Sequence, residues 1–234
     1  MLTVIAYAIA GGVDLGLVIW SGLSGLAAAF LGGAVMGYMA EGVIVGTIND
    51  PLPFYWVWTS LAWHALISGV LVLGVGRAGR ALEPASMALI WAAVGLAAAY
   101  WGQYWPSEAT GALPTTGTLA IYLVGFAVLV VLAHLVMDRI GHLPRPPDAV
   151  LWVAPGFALL GWVEQGVADL NPLRVILPAV LALLWWTMRR LGQRGAAVSL
   201  GAPVPMWQHG LVLNSPLIAV GLGPLGLGAG LGDA

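Results

Sequence analysis

The chain has 234 residues, of which 60% are hydrophobic and only 8% are charged, with a formal net charge of −2. A soluble domain carries about a quarter charged residues, and a soluble fold of this length could not bury so much apolar surface. The composition therefore predicts an all-α, polytopic transmembrane helix bundle, with the lipid bilayer as its solvent.

Two absent residue types exclude several kinds of chemistry. The chain has no cysteine, which excludes disulfides, thiol nucleophiles, iron–sulfur clusters and thiolate metal sites. It has no lysine either, since all eight basic residues are arginine, and this excludes Schiff-base and Walker-type lysines. No basic run is present, so nucleic acid is not an expected partner. We expect no metal site and no catalytic residue, and a membrane enzyme is the weaker alternative.

The first span is predicted at about residues 14–40, with Asp14 as its N-cap and residues 1–12 as a lead-in at the membrane interface. The alternative is a pair of spans, about 2–20 and 22–46, that turn at Ser21-Gly22. The single span is preferred because a turn there offers few polar groups to a membrane surface.

Small residues recur at every fourth position of this segment, which places them in one stripe along a helix. A helix that is apolar on all faces and carries such a stripe is typical of membrane helices that pack closely on a neighbour. We therefore predict helix packing through this stripe, which consists of Ser21, Gly25, Ala29, Gly33 and Gly37.

Apolar stretches between turn signals predict five further spans, at about 54–76, 84–104, 118–138, 149–166 and 172–188. Residues 1–194 are thus expected to form one bundle of six spans. Residues 195–234 form an apolar tail rich in glycine and proline, which we expect to lie along a surface. A seventh span near 209–231 is the alternative.

The arginines predict the orientation of the bundle. Seven of the eight follow the second, fourth and sixth predicted spans, whereas Asp50, Glu108 and Asp169 lie in the opposite loops. The positive-inside rule places the arginine-rich loops in the cytoplasm. We therefore predict a multi-pass protein of a prokaryotic-type inner membrane.

Three carboxylic acids lie in or beside the predicted spans, where a charged group is costly unless it faces protein or water. Asp14 and Glu41 lie at predicted helix ends, where capping or solvation at the interface is the alternative. Glu164 lies on a short span that contains proline and glycine, and interrupted spans line many transporter sites. The candidate transport residues are therefore Glu164, Arg174, Glu41 and Asp14, and an interfacial ion pair of Glu164 with Arg174 is the alternative.

Two histidines in predicted spans, His64 and His134, are candidate cofactor ligands. They differ in predicted depth by about six residues, or ~9 Å at 1.5 Å per residue, whereas two axial ligands of one haem lie at similar depth. Ligation of a haem or chlorin by His64 alone stays open. The alternative for both is a histidine that is hydrogen-bonded inside the bundle.

The segment Gly22-Leu23-Ser24-Gly25, together with His64, locally resembles rhomboid intramembrane proteases, which pair a G-x-S-G serine with a histidine on a later helix. The resemblance implies Ser24 as nucleophile and His64 as its base, since a serine needs a base within hydrogen-bond reach. The alternative, which we prefer, is that Ser24 packs beside the small-residue stripe and bonds to a backbone carbonyl.

These features favour a non-catalytic integral-membrane subunit or scaffold of a larger complex, which packs against partner helices, lipids or pigments. A small-solute or proton transporter is the second expectation, and a haem- or quinone-binding subunit of an electron-transfer complex is the third. The expected partners are the lipid bilayer and either other membrane subunits or further copies of the chain.

Overall fold

The computed structural model describes residues 2–49, 54–78, 82–102, 115–168, 170–193 and 198–227, without the side chains of 2–4, 49, 78, 101 and 223–227. Over these residues the structure is all-α apart from one antiparallel pairing of two short strands. By their contacts the residues divide into two compact units, which are described separately. Unit 1 comprises Met1–Val75 and Ile140–Gly201, and unit 2 comprises Gly76–Arg139 and Ala202–Ala234.

The elements include two π-helices, which have i→i+5 hydrogen bonds, and two short 3-10 helices. In chain order they are α1 (Leu2–Ser21), α2 (Gly25–Met39), π1 (Ala40–Val45), a 3-10 turn (Thr47–Asn49), α3 (Phe54–Val57), π2 (Trp58–Val75), α4 (Gly76–Ala78), α5 (Pro84–Gly102), α6 (Thr116–Ile140), β1 (His142–Leu143), α7 (Asp148–Leu151), α8 (Val153–Ala168), a 3-10 turn (Pro172–Val175), α9 (Ile176–Leu191), β2 (Val198–Ser199), α10 (Met206–Val212) and α11 (Asn214–Leu227).

Five helices in the described residues are long and apolar enough to cross a membrane. They are Gly25–Val45, Phe54–Val75, Thr116–Ile140, Asp148–Ala168 and Pro172–Leu191. The last four correspond to the predicted second, fourth, fifth and sixth spans. The predicted third span, about 84–104, appears as a shorter apolar helix over Pro84–Tyr100.

The prediction of one first span over residues 14–40 is wrong, because the chain turns between Ser21 and Gly25. Gly22 and Gly25 both have φ of +67°, a conformation that glycine adopts without steric cost. The Ser21 hydroxyl donates to the Val18 carbonyl at 3.0 Å and accepts from the Leu23 amide at 3.3 Å. The turn therefore supplies its own polar partners, and the alternative of two helices is the one that forms.

That turn also corrects two dependent expectations. Asp14 lies within α1 rather than at an N-cap, and residues 2–12 belong to the same helix rather than to an interfacial lead-in. Gly12 permits close packing of α1 on α8, because an added Cβ would lie 2.8 Å from the Cβ of Ala154. A glycine that looks like a helix breaker in the sequence is thus a packing residue.

Helix α2 lies between two hydrophobic clusters of unit 1. One face contributes Leu31, Val35 and Met39 to a cluster with residues of α1, α8 and α9. The other face contributes Ala34 and Tyr38 to a cluster that includes residues of α3, π2 and α9. The most apolar stretch of 18 residues in Gly25–Val45 is 61% buried within the protein, so this helix is the centre of unit 1.

In unit 2, helix α11 packs on α5. An added Cβ at Gly95 would lie 2.6 Å from the carbonyl oxygen of Ser215, and the Ser215 hydroxyl donates to the Trp91 carbonyl at 2.6 Å. Ala219 of α11 is buried as well. The tail beyond residue 195 therefore contains two helices, α10 and α11, which both contact α5, and its position along a membrane surface stays a prediction.

Candidate functional site

The candidate site lies beside the close contact between α2 and π2. An added Cβ at Gly33 would lie 2.7 Å from the carbonyl oxygen of His64 and 2.9 Å from the Cα of Ala65. At Gly37 it would lie 2.5 Å from the carbonyl oxygen of Ser60. These glycines therefore let two backbones approach to a distance that no larger residue permits.

The π winding of π2 gives this helix its own small-residue face. Ser60, Ala65, Gly69 and Gly74 are spaced by five, four and five residues, and all four meet residues of α2. In an α-helix, Ser60 and Ala65 would point about 140° apart, because successive residues turn by ~100°. With i→i+5 hydrogen bonds, residues five apart share one face of the helix, as residues four apart do in an α-helix. A stripe spaced by four in α2 thus packs on a stripe spaced by four and five in π2.

Glu41 of π1 and His64 of π2 form a carboxylate–histidine pair between these two helices. The Glu41 Oε1 and the His64 Nε2 are 3.6 Å apart, and their side chains are 14% and 15% exposed. The Thr47 hydroxyl donates to the other Glu41 oxygen, Oε2, at 2.6 Å. One carboxylate oxygen is therefore held by threonine while the second faces the histidine.

A second set of polar contacts meets the same π1 segment. π1 ends at Val45, the following Gly46 has φ of +83°, and the Gln165 side-chain amide donates to the Val43 carbonyl. Arg174 donates to the Trp162 carbonyl at 2.9 Å and approaches the Gln165 Oε1 at 3.4 Å. Because a helix leaves its last carbonyl groups without intrahelical partners, Gln165 and Arg174 stabilise the end of the span that holds Glu41.

A carboxylate and an imidazole at this distance can share one proton. With the proton on His64 the pair is an imidazolium and a carboxylate, and with the proton on Glu41 both groups are neutral. The separation of 3.6 Å exceeds a hydrogen bond, so transfer needs a small side-chain rotation or one bridging water. The pair therefore places a carboxylate and an imidazole side by side between two apolar helices.

Sequence reasoning named Glu41, His64 and Arg174 but did not bring them together, and it missed Thr47 and Gln165. Glu164 is exposed, and the ion pair expected between it and Arg174 does not form among the described residues. Arg174 is buried and turns to Gln165 instead, because residues 164 and 165 point to different sides of α8. The transport role predicted for Glu164 stays a prediction.

Asp14 takes a different place in unit 1. Its carboxylate lies against Gly32 of α2, so closely that an added Cβ at Gly32 would overlap the Asp14 Oδ1. No ion pair includes Asp14 among the residues that the structure describes. It is therefore separate from the Glu41–His64 pair.

His134 belongs to unit 2 and to another polar cluster. Arg77 forms a 2.8 Å ion pair with Asp138 and donates to the His134 carbonyl at 3.0 Å. Asp138 also lies 3.3 Å from the His209 Nε2, and the rings of His134 and His209 are 6.1 Å apart. The His64 Nε2 faces Glu41. Ligation of a haem by His64 or His134 stays a prediction. Over the described part of the chain, no three acidic or histidine side chains are placed to hold a metal ion.

The serine and histidine of the rhomboid-like segment are not paired. Ser24 is exposed and immediately precedes α2, where its side chain makes no capping hydrogen bond. His64 faces Glu41 instead, and no hydrogen bond joins it to Ser24 within the described ranges.

Some of the charged residues that predict the orientation lie outside the described residues. They are Asp50, Arg80, Glu108, Asp169 and Arg194.

Comparison of the chain with protein-family models, with curated proteins and with solved structures finds no match. The proposals below therefore depend on the geometry of the chain itself.

Proposed function

We propose that the chain is an integral-membrane protein that carries protons, alone or together with a small solute, through the Glu41–His64 pair. The observation that supports this is the position of the pair between two helices that are long and apolar enough to cross a membrane. His64 lies ten residues after Phe54 and eleven before Val75, near the middle of its helix. Ionisable groups at such places are costly, and they commonly belong to proton relays or substrate pathways.

The contacts of α2 favour this function over a scaffold. The scaffold expectation depended on a small-residue stripe that is free to contact partner helices. Gly33 and Gly37 instead pack on π2 of the same chain, and Gly32 packs on Asp14. Ala29, Gly33 and Gly37 of the predicted stripe thus have partners within unit 1, whereas Gly25 meets nothing within 4 Å and Ser21 belongs to α1.

Proton flux into liposomes tests the proposal. Purified protein is reconstituted with a pH-sensitive dye inside, and a potassium diffusion potential drives protons inward. We expect flux in the natural protein and at least a tenfold loss in Glu41→Gln and in His64→Gln, which remove the shared proton but keep similar side-chain volume. Thr47→Val, which leaves both groups of the pair in place, should reduce the flux without abolishing it.

Glu164→Gln is the matched control, because it makes the same chemical change at an exposed carboxylate. Each variant is used only if it melts within a few degrees of the natural protein. Flux that persists in Glu41→Gln, or is absent in the natural protein, contradicts the proposal. A loss of proton flux in Glu164→Gln alone would identify Glu164, the residue that the sequence favoured, as the proton carrier.

A second candidate function, a subunit of a membrane complex, is favoured by two other helices. Only 6% of the apolar window of Thr116–Ile140 is buried within the chain, and the same share holds for Asp148–Ala168. Partner helices would cover these faces, as would lipid. The mass of the particle extracted in mild detergent distinguishes the two: one chain with bound lipid contradicts the subunit function, and stoichiometric partners support it.

We also propose that the protein crosses an inner membrane through at least six of its helices, with its arginine-rich ends in the cytoplasm, as the positive-inside rule predicts. Single cysteines at Thr115 and His142, on either side of α6, report this orientation because the chain has no other thiol. An impermeant thiol reagent added to intact cells should label the cysteine at position 115 and not that at 142. The reverse pattern contradicts the orientation.

A further inference from the structure

The ends of α1 and α9 meet in unit 1. An added Cβ at Gly192, just after α9, would overlap the carbonyl oxygen of Ser21, the last residue of α1. The rings of Trp20 and Trp185 are stacked there, with centroids 5.4 Å apart and planes 24° apart. Two helices therefore end together beside a rigid aromatic pair.

Two arginines in the last turn of α9 lie over tryptophans one turn earlier. The guanidinium of Arg189 is 5.4 Å from the ring of Trp185, and that of Arg190 is 4.8 Å from the ring of Trp186. Such cation–π stacking orients a guanidinium by its face and leaves the N–H groups at its edge available to an anion. Both guanidinium groups are thus held before any ligand arrives.

No carboxylate pairs with either arginine among the described residues, and both side chains are exposed. Arg145, also in unit 1, differs because it forms a 2.7 Å ion pair with Asp148. Each oriented and uncompensated guanidinium group offers N–H donors that can bind phosphate oxygens. The charge at this end of α9 therefore favours an anionic ligand.

An apolar track leads along α9 to Arg190. Leu183 and Trp186 lie seven and four residues before it and share its helix face, and they are 59% and 48% exposed. A free phosphate would leave this track uncovered, whereas an acyl chain would cover it. A lipid would use both features, because its phosphate would bind the arginines while its acyl chain covers Leu183 and Trp186.

We propose that Arg189 and Arg190 bind the phosphate of an anionic phospholipid whose acyl chain lies along Leu183 and Trp186. The tryptophans hold the arginines at the level of the headgroups, where tryptophan is enriched in membrane proteins. Basic residues beside a membrane helix attract anionic lipids in this way. The proposal does not depend on the function of the Glu41–His64 pair.

Native mass spectrometry of the full chain in detergent tests it, with titration of dioleoylphosphatidylglycerol, dioleoylphosphatidylcholine or glycerol 3-phosphate. We expect the anionic phosphatidylglycerol to bind more tightly than the zwitterionic lipid. Arg189→Gln with Arg190→Gln should weaken that binding about thirtyfold, since each arginine near an anionic surface contributes about fivefold. Arg189→Lys with Arg190→Lys should lose less, because charge remains but the planar fork does not.

The matched control is Arg139→Gln with Arg145→Gln, which removes the same charge from exposed positions elsewhere. It should bind phosphatidylglycerol like the natural protein. Equal binding of the two lipids, unchanged binding in the Arg189/Arg190 glutamine variant, or equal loss in the control overturns the proposal. Binding of glycerol 3-phosphate as tightly as the lipid overturns it as well, because the acyl chain would then contribute nothing.

Discussion

Helix α2 with π1 and helix α6 are both apolar enough to cross a membrane, yet they differ sharply in burial. The most apolar stretch of Gly25–Val45 has a mean hydropathy of 1.6 and is 61% buried. The corresponding stretch of Thr116–Ile140 has a mean hydropathy of 2.7 and is 6% buried. The more apolar helix is thus the less buried one. In this chain, hydropathy identifies a candidate membrane helix but does not say which helix lies at the centre.

Side-chain size explains the difference. Lipid tails are as apolar as leucine, so apolar helices gain little by exchanging lipid for one another, and close packing decides which of them associate. Gly33 and Gly37 of α2 lie against the backbone of π2, whereas an added Cβ at Gly125 of α6 meets nothing within 4 Å. The number of glycines in a helix therefore does not predict close packing, which depends on the surface that each glycine faces.

The largest effect is expected from Gly33→Leu. A Cβ there would lie 2.7 Å from the His64 carbonyl oxygen, so the side chain forces α2 and π2 apart. The free energy of unfolding should fall by about 3 kcal/mol or more, the upper range for overpacking. Thermal melting in mild detergent measures this loss.

Gly125→Leu is its control, because the same side chain on α6 enters open space. It should melt like the natural protein. Equal melting of both variants would mean that the two helices do not differ in packing, and the comparison would fail.

An intermediate effect is expected from Gln165→Leu. The substitution removes the donor to the Val43 carbonyl and a partner of Arg174, and an unpaired buried polar group costs about 1–3 kcal/mol. Melting in the same detergent should report that loss, and proton flux should fall with it if the end of π1 positions Glu41. Glu164→Leu, one residue earlier and exposed, should cost less than Gln165→Leu, and the opposite order would contradict the site geometry.

The smallest effect is expected from Ile121→Ala on α6. This side chain is 79% exposed, so its removal leaves no cavity in the chain and should change stability by at most ~0.5 kcal/mol. A loss of several degrees in the melting temperature of the purified particle would reveal a packing partner on α6. That result would favour the membrane-complex function.

The residues of the candidate site were partly predictable. Glu41 and His64 stand out in the sequence because ionisable groups are rare in apolar helices. Their pairing was not predictable, because the sequence does not show which helix packs against α2 and therefore which side chain meets Glu41. Gln165 does not stand out beside the charged Glu164, although the neutral amide is the group that turns inward.

The sequence by itself determined the all-α class and the positions of four long apolar helices. It could do so because the length and composition of an apolar stretch are local properties of the chain. Only the tertiary structure decided which helices pack together and which polar groups meet. Those features depend on contacts between distant residues: Gly12 allows α1 to approach Ala154, and Gly33 allows α2 to approach Ala65, so the helix pairings follow from packing rather than from any one segment.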